Sequence, residues 1–204
     1  MSIDRDALVR AIERLRAASV RDFDELNAAD GALGDGDLGI TLRRGMELVS
    51  EQAADLPEDL GRALMSCAQA FTKSSGSSYG TLTATGLMAM AKAVKGETSI
   101  EASRVSELVG AARDAMAARG KAELGGKTVL DSLDAVARAT AGQTDAGAVA
   151  DAAARAADRS LEELRPKRAT VGRARMFGER TEGMDDPGML AMQRIVRALA
   201  DREG

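Results

Sequence analysis

The sequence predicts an all-α fold, and three observations carry the prediction. Apolar side chains recur at three- and four-residue spacing along most of the chain. The composition is 45% hydrophobic but only 2% aromatic, drawn mostly from Ala, Leu, Val and Met, a mix that suits helices packed closely through small side chains. No stretch shows the alternation of a half-buried strand. The chain has 204 residues, enough for one large domain or two small ones, and for a real core.

The elements follow in order. Leu8, Ile12 and Leu15 place a first helix over about 4–18, and Phe23 and Leu26 a short second one over about 21–29. Leu42, Met46, Val49 and Ala53 mark a helix from about 39 to 54. Pro57 opens the next, which carries Leu60, Leu64, Cys67 and Phe71 and stops at a polar glycine-serine stretch over 72–81. Leu87, Met90 and Val94 mark a helix ended by Gly96, and Val105, Leu108, Ala112 and Met116 one ended by Gly120. Val129, Leu133, Val136 and Ala137 continue to about 141, and an alanine-rich helix covers about 145–164. After an irregular Arg/Gly-rich stretch, Pro187 opens the last helix, with Leu190, Ile195, Val196 and Leu199. The helical spacing around Cys67 makes this single cysteine a core residue and not a reactive thiol.

Two kinds of connection alternate along the chain. Those near 55–57, 96–101 and 141–145 are short and plain, whereas 30–38, 73–80, 120–127 and 165–186 are long, polar and glycine-rich. In an up-and-down bundle every second connection lies at the same end. The four unusual segments are therefore expected to gather at one end, as a site built from loops on a rigid scaffold.

The sharpest chemistry is in 30–39, Asp-Gly-Ala-Leu-Gly-Asp-Gly-Asp-Leu-Gly. A glycine-bent loop can fold Asp30, Asp35 and Asp37 onto one point, where they repel unless a cation sits between them. The pattern reads either as an ordinary Asp/Gly turn capping the next helix or as a hard-metal site with oxygen ligands, Mg²⁺ before Ca²⁺. An EF-hand is excluded because no Glu stands at the twelfth position. A helix start follows at once with Thr41, and its positive end suits phosphate. Ser74, Ser75 and Gly76 offer hydroxyls and close N–H groups to phosphate oxygens. Lys127, Arg173, Arg175 and Arg180 are loop cations that read either as solvated charge or as groups facing a polyphosphate. Thr128 reads equally as a plain N-cap, and Asp186-Pro187-Gly188 either as a helix start or as a closure over a base or ribose. Met176 and Phe177 suit an adenine face or the core. Metal plus phosphate points to a nucleotide; the P-loop and dinucleotide-binding glycine patterns are absent.

Other classes are excluded. A net charge of −4 with 29% charged residues of both signs argues against nucleic-acid binding, which needs a basic face. No apolar run reaches the ~20 residues of a membrane helix and no cationic leader precedes one, so the expected location is the cytoplasm. The chain has no histidine, which removes His-based triads, His metal ligands and a His general base.

Four motifs, in this order and spacing, resemble those of the nucleotide-binding L subunit of dihydroxyacetone kinases. They are Asp30-x-x-x-Gly34-Asp35-Gly36-Asp37-x-Gly39, Ser74-Ser75-Gly76-x-x-Tyr79-Gly80-Thr81, Gly120-Lys121-Ala122 through Gly125-x-Lys127-Thr128 to Asp131, and Gly172-Arg173-Ala174 through Gly178-Glu179-Arg180 to Asp186-Pro187-Gly188. The resemblance covers the whole chain, read as one domain over 1–204. It implies a closed barrel of eight antiparallel amphipathic helices with the nucleotide at one end. It also implies ADP or ATP bound through two Mg²⁺ ions on Asp30, Asp35 and Asp37. Leu38, Gly39, Ile40, Thr41, Ser74, Ser75, Gly120, Val129, Arg173, Asp186, Pro187 and Gly188 would line the nucleotide.

The resemblance further implies that the ketose is held on a separate K subunit, through a histidine there, so no catalytic base is expected in this chain. The family either exchanges ATP or keeps ADP as a cofactor recharged by a phosphotransferase-system protein. A regulatory nucleotide-binding module is the alternative, and self-association stays open. The chain departs from the family pattern at Leu38, Lys73, Ser77-Ser78, Gly126, Val129 and Met184. These positions bear on how base and terminal phosphate are held, and on whether the ketose is dihydroxyacetone or a relative such as erythrulose.

Overall fold

The computed structural model describes residues 2–74 and 76–201. The all-α expectation holds. Among these residues the α-helices are α1 (Arg5–Arg21), α2 (Phe23–Leu33), α3 (Leu38–Glu51), α4 (Leu60–Ser74), α5 (Ser78–Ala93), α6 (Val105–Gly120), α7 (Val129–Thr140), α8 (Ala146–Leu164) and α9 (Pro187–Ala200). That is nine, where the resemblance implies eight. The neighbour order explains the difference: α1 packs on α3, each helix from α3 onward packs on the next, and α9 returns to α1. The extra helix, α2, lies against α3 and α9.

One correction concerns strands. β1 (Ser2–Asp4) pairs antiparallel with β2 (Ser99–Glu101), Ile3 opposite Ile100. Three residues are too few to display an alternation, so the pairing left no mark in the sequence pattern. It pins the start of the chain to the turn before α6, where Ile3 and Ile100 pack with Leu60, Val94 and Leu108.

Helix starts are written in side chains. Asp4, Ser77, Thr128, Asp145 and Asp186 each accept a hydrogen bond from an N–H in the first turn of the following helix, and Thr128 forms a full capping box with Asp131. The main core runs from Ile12 and Leu26 through Leu42, Met46, Val49 and Phe71 to Leu161 and Met189. Small residues let the helices approach: a Cβ on Gly45 of α3 would lie 2.3 Å from the Phe71 ring of α4. This core leaves an apolar pocket of about 170 Å³ that is partly open to the surface. Cys67 is buried there, and burial pushes its thiol up to about 11. No described helix is long and apolar enough to cross a membrane.

Candidate functional site

The acidic cluster is built partly by a helix. Asp30 sits in the last turn of α2, not in a loop, and Asp35 and Asp37 lie in the turn that joins α2 to α3. The turn folds back on the helix end, so that the Asp37 N–H donates to Asp30 Oδ2 at 2.9 Å. Gly36 takes a left-handed conformation (φ 76°) in that turn. Gly34 must lack a side chain, because a Cβ there would stand 2.5 Å from Asp30 Oδ1. The result places one oxygen from each of Asp30, Asp35 and Asp37 within 4.8 Å of the others. Burial, and then the charges of Asp35 and Asp30, push the Asp37 carboxyl above the usual carboxylate range, against the pull of Arg173. Arg173 forms an ion pair with Asp35. Three hard oxygen donors gathered in this way suit a hard cation and offer nothing to a soft metal.

Segments from all four long connections line one cavity of about 480 Å³. The α2–α3 turn contributes Asp30, Asp35, Asp37 and Leu38; the α4–α5 connection contributes Gly76, Ser77, Ser78 and Tyr79. The end of α6 and start of α7 contribute Arg119, Gly120, Thr128 and Val129, and the stretch between α8 and α9 contributes Arg173, Asp186, Pro187 and Gly188. Four helices, α3, α5, α7 and α9, begin at this cavity. Their positive ends favour a polyanion, and the carboxylates that suit a cation lie at the start of one of them, α3.

Other expected site residues are placed elsewhere. Gly39, Ile40 and Thr41 stand outside the cavity lining: Asn27 Oδ1 accepts the N–H groups of Gly39 (2.8 Å) and Ile40 (3.2 Å), and the Thr41 N–H goes to the Asp37 carbonyl. Ser74 closes α4, its hydroxyl donating to the Phe71 carbonyl at 2.9 Å. Ser75 lies outside the described residues.

Lys127 requires the largest correction. It is 1% exposed, and its ammonium donates to the carbonyls of Arg165 (2.9 Å), Lys167 (2.8 Å) and Thr181 (2.6 Å). Its charge is spent on backbone. Met176 is 80% exposed, and Phe177 packs with Leu33, Ala169, Ala174 and Met184 beneath the Arg180 guanidinium. None of these three, nor Arg175, lines the cavity.

Sequence reasoning missed Asn27 and Arg119, and it named Ser77 and Ser78 only as departures from the family pattern and Tyr79 only as a motif residue. Ser77 caps α5 by accepting the Gly80 N–H at 3.0 Å, and receives a hydrogen bond from the Thr41 hydroxyl at 2.9 Å. The Ser-x-x-Gly spacing before an apolar helix could have shown the cap. Arg119 lies one turn beyond Met116, a position that helical periodicity alone places on the same wall.

Asp186 caps α9 through the Met189 N–H at 2.9 Å. Burial pushes its carboxyl up to about 7, against the pull of its backbone hydrogen bonds and of Lys127. Between about pH 4 and pH 7 the native state therefore holds a proton that the unfolded chain has released, and stability falls as pH rises through that window. Asp186→Asn keeps a capping side chain without the charge. It is expected to be more stable than the wild type at pH 8, by an amount on the order of 3 kcal/mol and with a higher thermal midpoint, and to match it near pH 4.5. Melting curves across that range check it.

A family model described as the DAK2 domain matches residues 32–201. From Listeria innocua, "PEP-dependent dihydroxyacetone kinase 1, ADP-binding subunit DhaL" is 29% identical, over 100% of this chain and 99% of its own. "PTS-dependent dihydroxyacetone kinase, ADP-binding subunit DhaL" from Lactococcus lactis is 34% identical over 86% of each chain. The crystal structure of the C. freundii dihydroxyacetone kinase in complex with AMP-PNP and Mg²⁺ superposes with a TM-score of 0.72 at 24% identity, covering 97% of this chain and 34% of that one. At that identity the likeness speaks for the fold.

Proposed function

The chain belongs to the DAK2 domain family, a kinase family, and from this we propose that it is the nucleotide-bearing subunit of a dihydroxyacetone or related small-ketose kinase. In this reading it binds Mg²⁺-ADP or Mg²⁺-ATP and passes the terminal phosphoryl group to a ketose held on a separate K-type subunit. The observation that carries the proposal is the cavity itself: three carboxylates within 4.8 Å line the same cavity at which four helices begin.

The residues divide the work. Asp30, Asp35 and Asp37 would hold the Mg²⁺. Bound there, the ion would offset negative charge on the phosphate oxygens during in-line transfer. The helix ends at Ser78, Val129 and Pro187 present backbone N–H groups or a positive dipole to the phosphates. Tyr79, Val129 and Pro187 supply apolar surface for a base. The chain has no histidine, and the ionisable groups around the cavity are carboxylates, arginines and the Tyr79 phenol. In this reading the partner brings the ketose and takes up the proton of the acceptor hydroxyl.

End-to-end similarity to stand-alone proteins named ADP-binding subunits supports the form in which ADP stays bound and is recharged by a phosphotransferase-type donor protein. Such recharging takes place in the cytoplasm, where we place the protein. Analysis of the supernatant after denaturing freshly purified, Mg²⁺-dialysed protein tests this. Retained ADP is the expected result. An empty protein that binds ATP reversibly with Mg²⁺ would instead indicate an exchanging kinase, and one that binds neither would overturn the nucleotide reading.

A further inference from the structure

Arg173 reaches the carboxylate cluster from a different segment of the chain, the stretch between α8 and α9. Its guanidinium pairs with Asp35, and its charge also acts on Asp37 and Asp30. Three carboxylates so close repel one another, and one monovalent group offsets only part of that charge. A divalent cation offsets more, and would draw on the same Asp35 carboxylate. The Arg173 and Asp35 side chains are 52% and 46% exposed, so the pair can separate without unpacking the core. Arg173 follows Gly172, whose φ is 69°. A guanidinium also suits a phosphate as well as it suits a carboxylate.

We infer that Arg173 is an exchangeable counter-ion: it holds Asp35 while the cluster is without a divalent cation, and moves to the terminal phosphate of the nucleotide when Asp35 turns to the cation. This rests on the Mg²⁺-nucleotide reading above. It makes a demand that reading does not. A divalent cation alone competes with Arg173 for Asp35. Cation and nucleotide together do not compete with it, because Arg173 gains a new partner. Cation and nucleotide therefore reinforce each other's binding, and the coupling passes through one side chain. Arg173 acts here as a positioning residue, and its loss should move two affinities in opposite directions.

The test uses the full-length protein with Arg173→Ala and Arg173→Gln, two variants so that either decides the matter if the other folds poorly. Mn²⁺ alone, followed by the paramagnetic signal of the free ion, probes the carboxylates. AMP-PNP with Mg²⁺, followed by calorimetry, probes the phosphate end. In the variants Mn²⁺ affinity without nucleotide is expected to rise about 3- to 10-fold, and AMP-PNP affinity to fall about 10-fold or more. A Mn²⁺ affinity that is unchanged or lower in a folded variant overturns the inference, because Arg173 then does not compete with the cation. Wild-type protein that binds neither Mn²⁺ nor Mg²⁺-nucleotide overturns the underlying functional reading instead. Wild-type binding with no opposed shift leaves that reading standing and removes only the role of Arg173.

Discussion

Asp35→Ala is expected to weaken Mg²⁺-dependent ADP binding by at least about 100-fold while leaving the helical signal and the ligand-free thermal midpoint near the wild-type values. The contrast follows from where the residue sits. Asp35 is in the turn between α2 and α3, its side chain 46% exposed and paired with Arg173. It contributes nothing to the buried clusters. Removing it also relieves repulsion with Asp30 and Asp37, so the ligand-free fold loses little. What disappears is one of three oxygen donors, and with it the thermal shift that Mg²⁺-ADP produces in the wild type by binding only the native state. Asp30→Ala would be a poorer test, because Asp30 also accepts the Asp37 N–H at 2.9 Å and holds the turn in shape. A thermal-shift titration with Mg²⁺ and ADP, beside circular dichroism, separates the cases. Loss of the fold in Asp35→Ala would make the cluster structural, and an unchanged ADP-induced shift would remove the metal role.

How much of this was legible in the sequence depends on whether the signal was local. Apolar periodicity located the helices because each carries its own stripe. The alternation of plain and glycine-rich connections pointed to the end of the bundle where the cavity lies, because up-and-down packing needs only the order of elements. The clustering of the aspartates was legible because a glycine-bent turn brings carboxylates so close in sequence onto one point. Long-range partners were not legible. Nothing local says that Asn27 of α2 caps α3 twelve residues on. The serine-rich stretch after α4 was assigned one residue group too early. α4 runs on to Ser74 and uses that hydroxyl internally, which leaves Ser77 and Ser78 at the cavity. Lys127 was misread for a related reason. A lysine in a glycine-rich loop looks solvated or ligand-facing, and only the folded chain brings three carbonyls around it.

That correction yields the second large effect. Lys127→Met is expected to destabilise the ligand-free protein by about 3 kcal/mol or more, lowering its thermal midpoint by roughly 6–12 °C. The stretch between α8 and α9 is organised on the Lys127 ammonium. Arg165, Lys167 and Thr181 turn their carbonyls to it. The Thr181 hydroxyl receives the Ala169 N–H at 2.9 Å and donates to the Gly178 carbonyl at 2.7 Å. The Gly183 N–H returns to the Arg165 carbonyl, and the Thr170 N–H to the Gly126 carbonyl. Methionine preserves most of the volume but supplies no donor, so three carbonyls lose the ammonium at once, and of these the Arg165 carbonyl still accepts the Gly183 N–H. The same stretch carries Arg173 and leads into Asp186, so nucleotide affinity falls as a consequence of the loosened backbone. The order of effects separates this from a phosphate-binding lysine. A side chain that touched phosphate would, on removal, weaken nucleotide binding and leave the ligand-free midpoint unchanged. If Lys127→Met melts within a degree of the wild type while losing ADP, the backbone clamp is wrong and Lys127 returns to the site. If the ligand-free midpoint drops first, the positive charge that the sequence offered to a polyphosphate is instead what shapes the loop that carries Arg173.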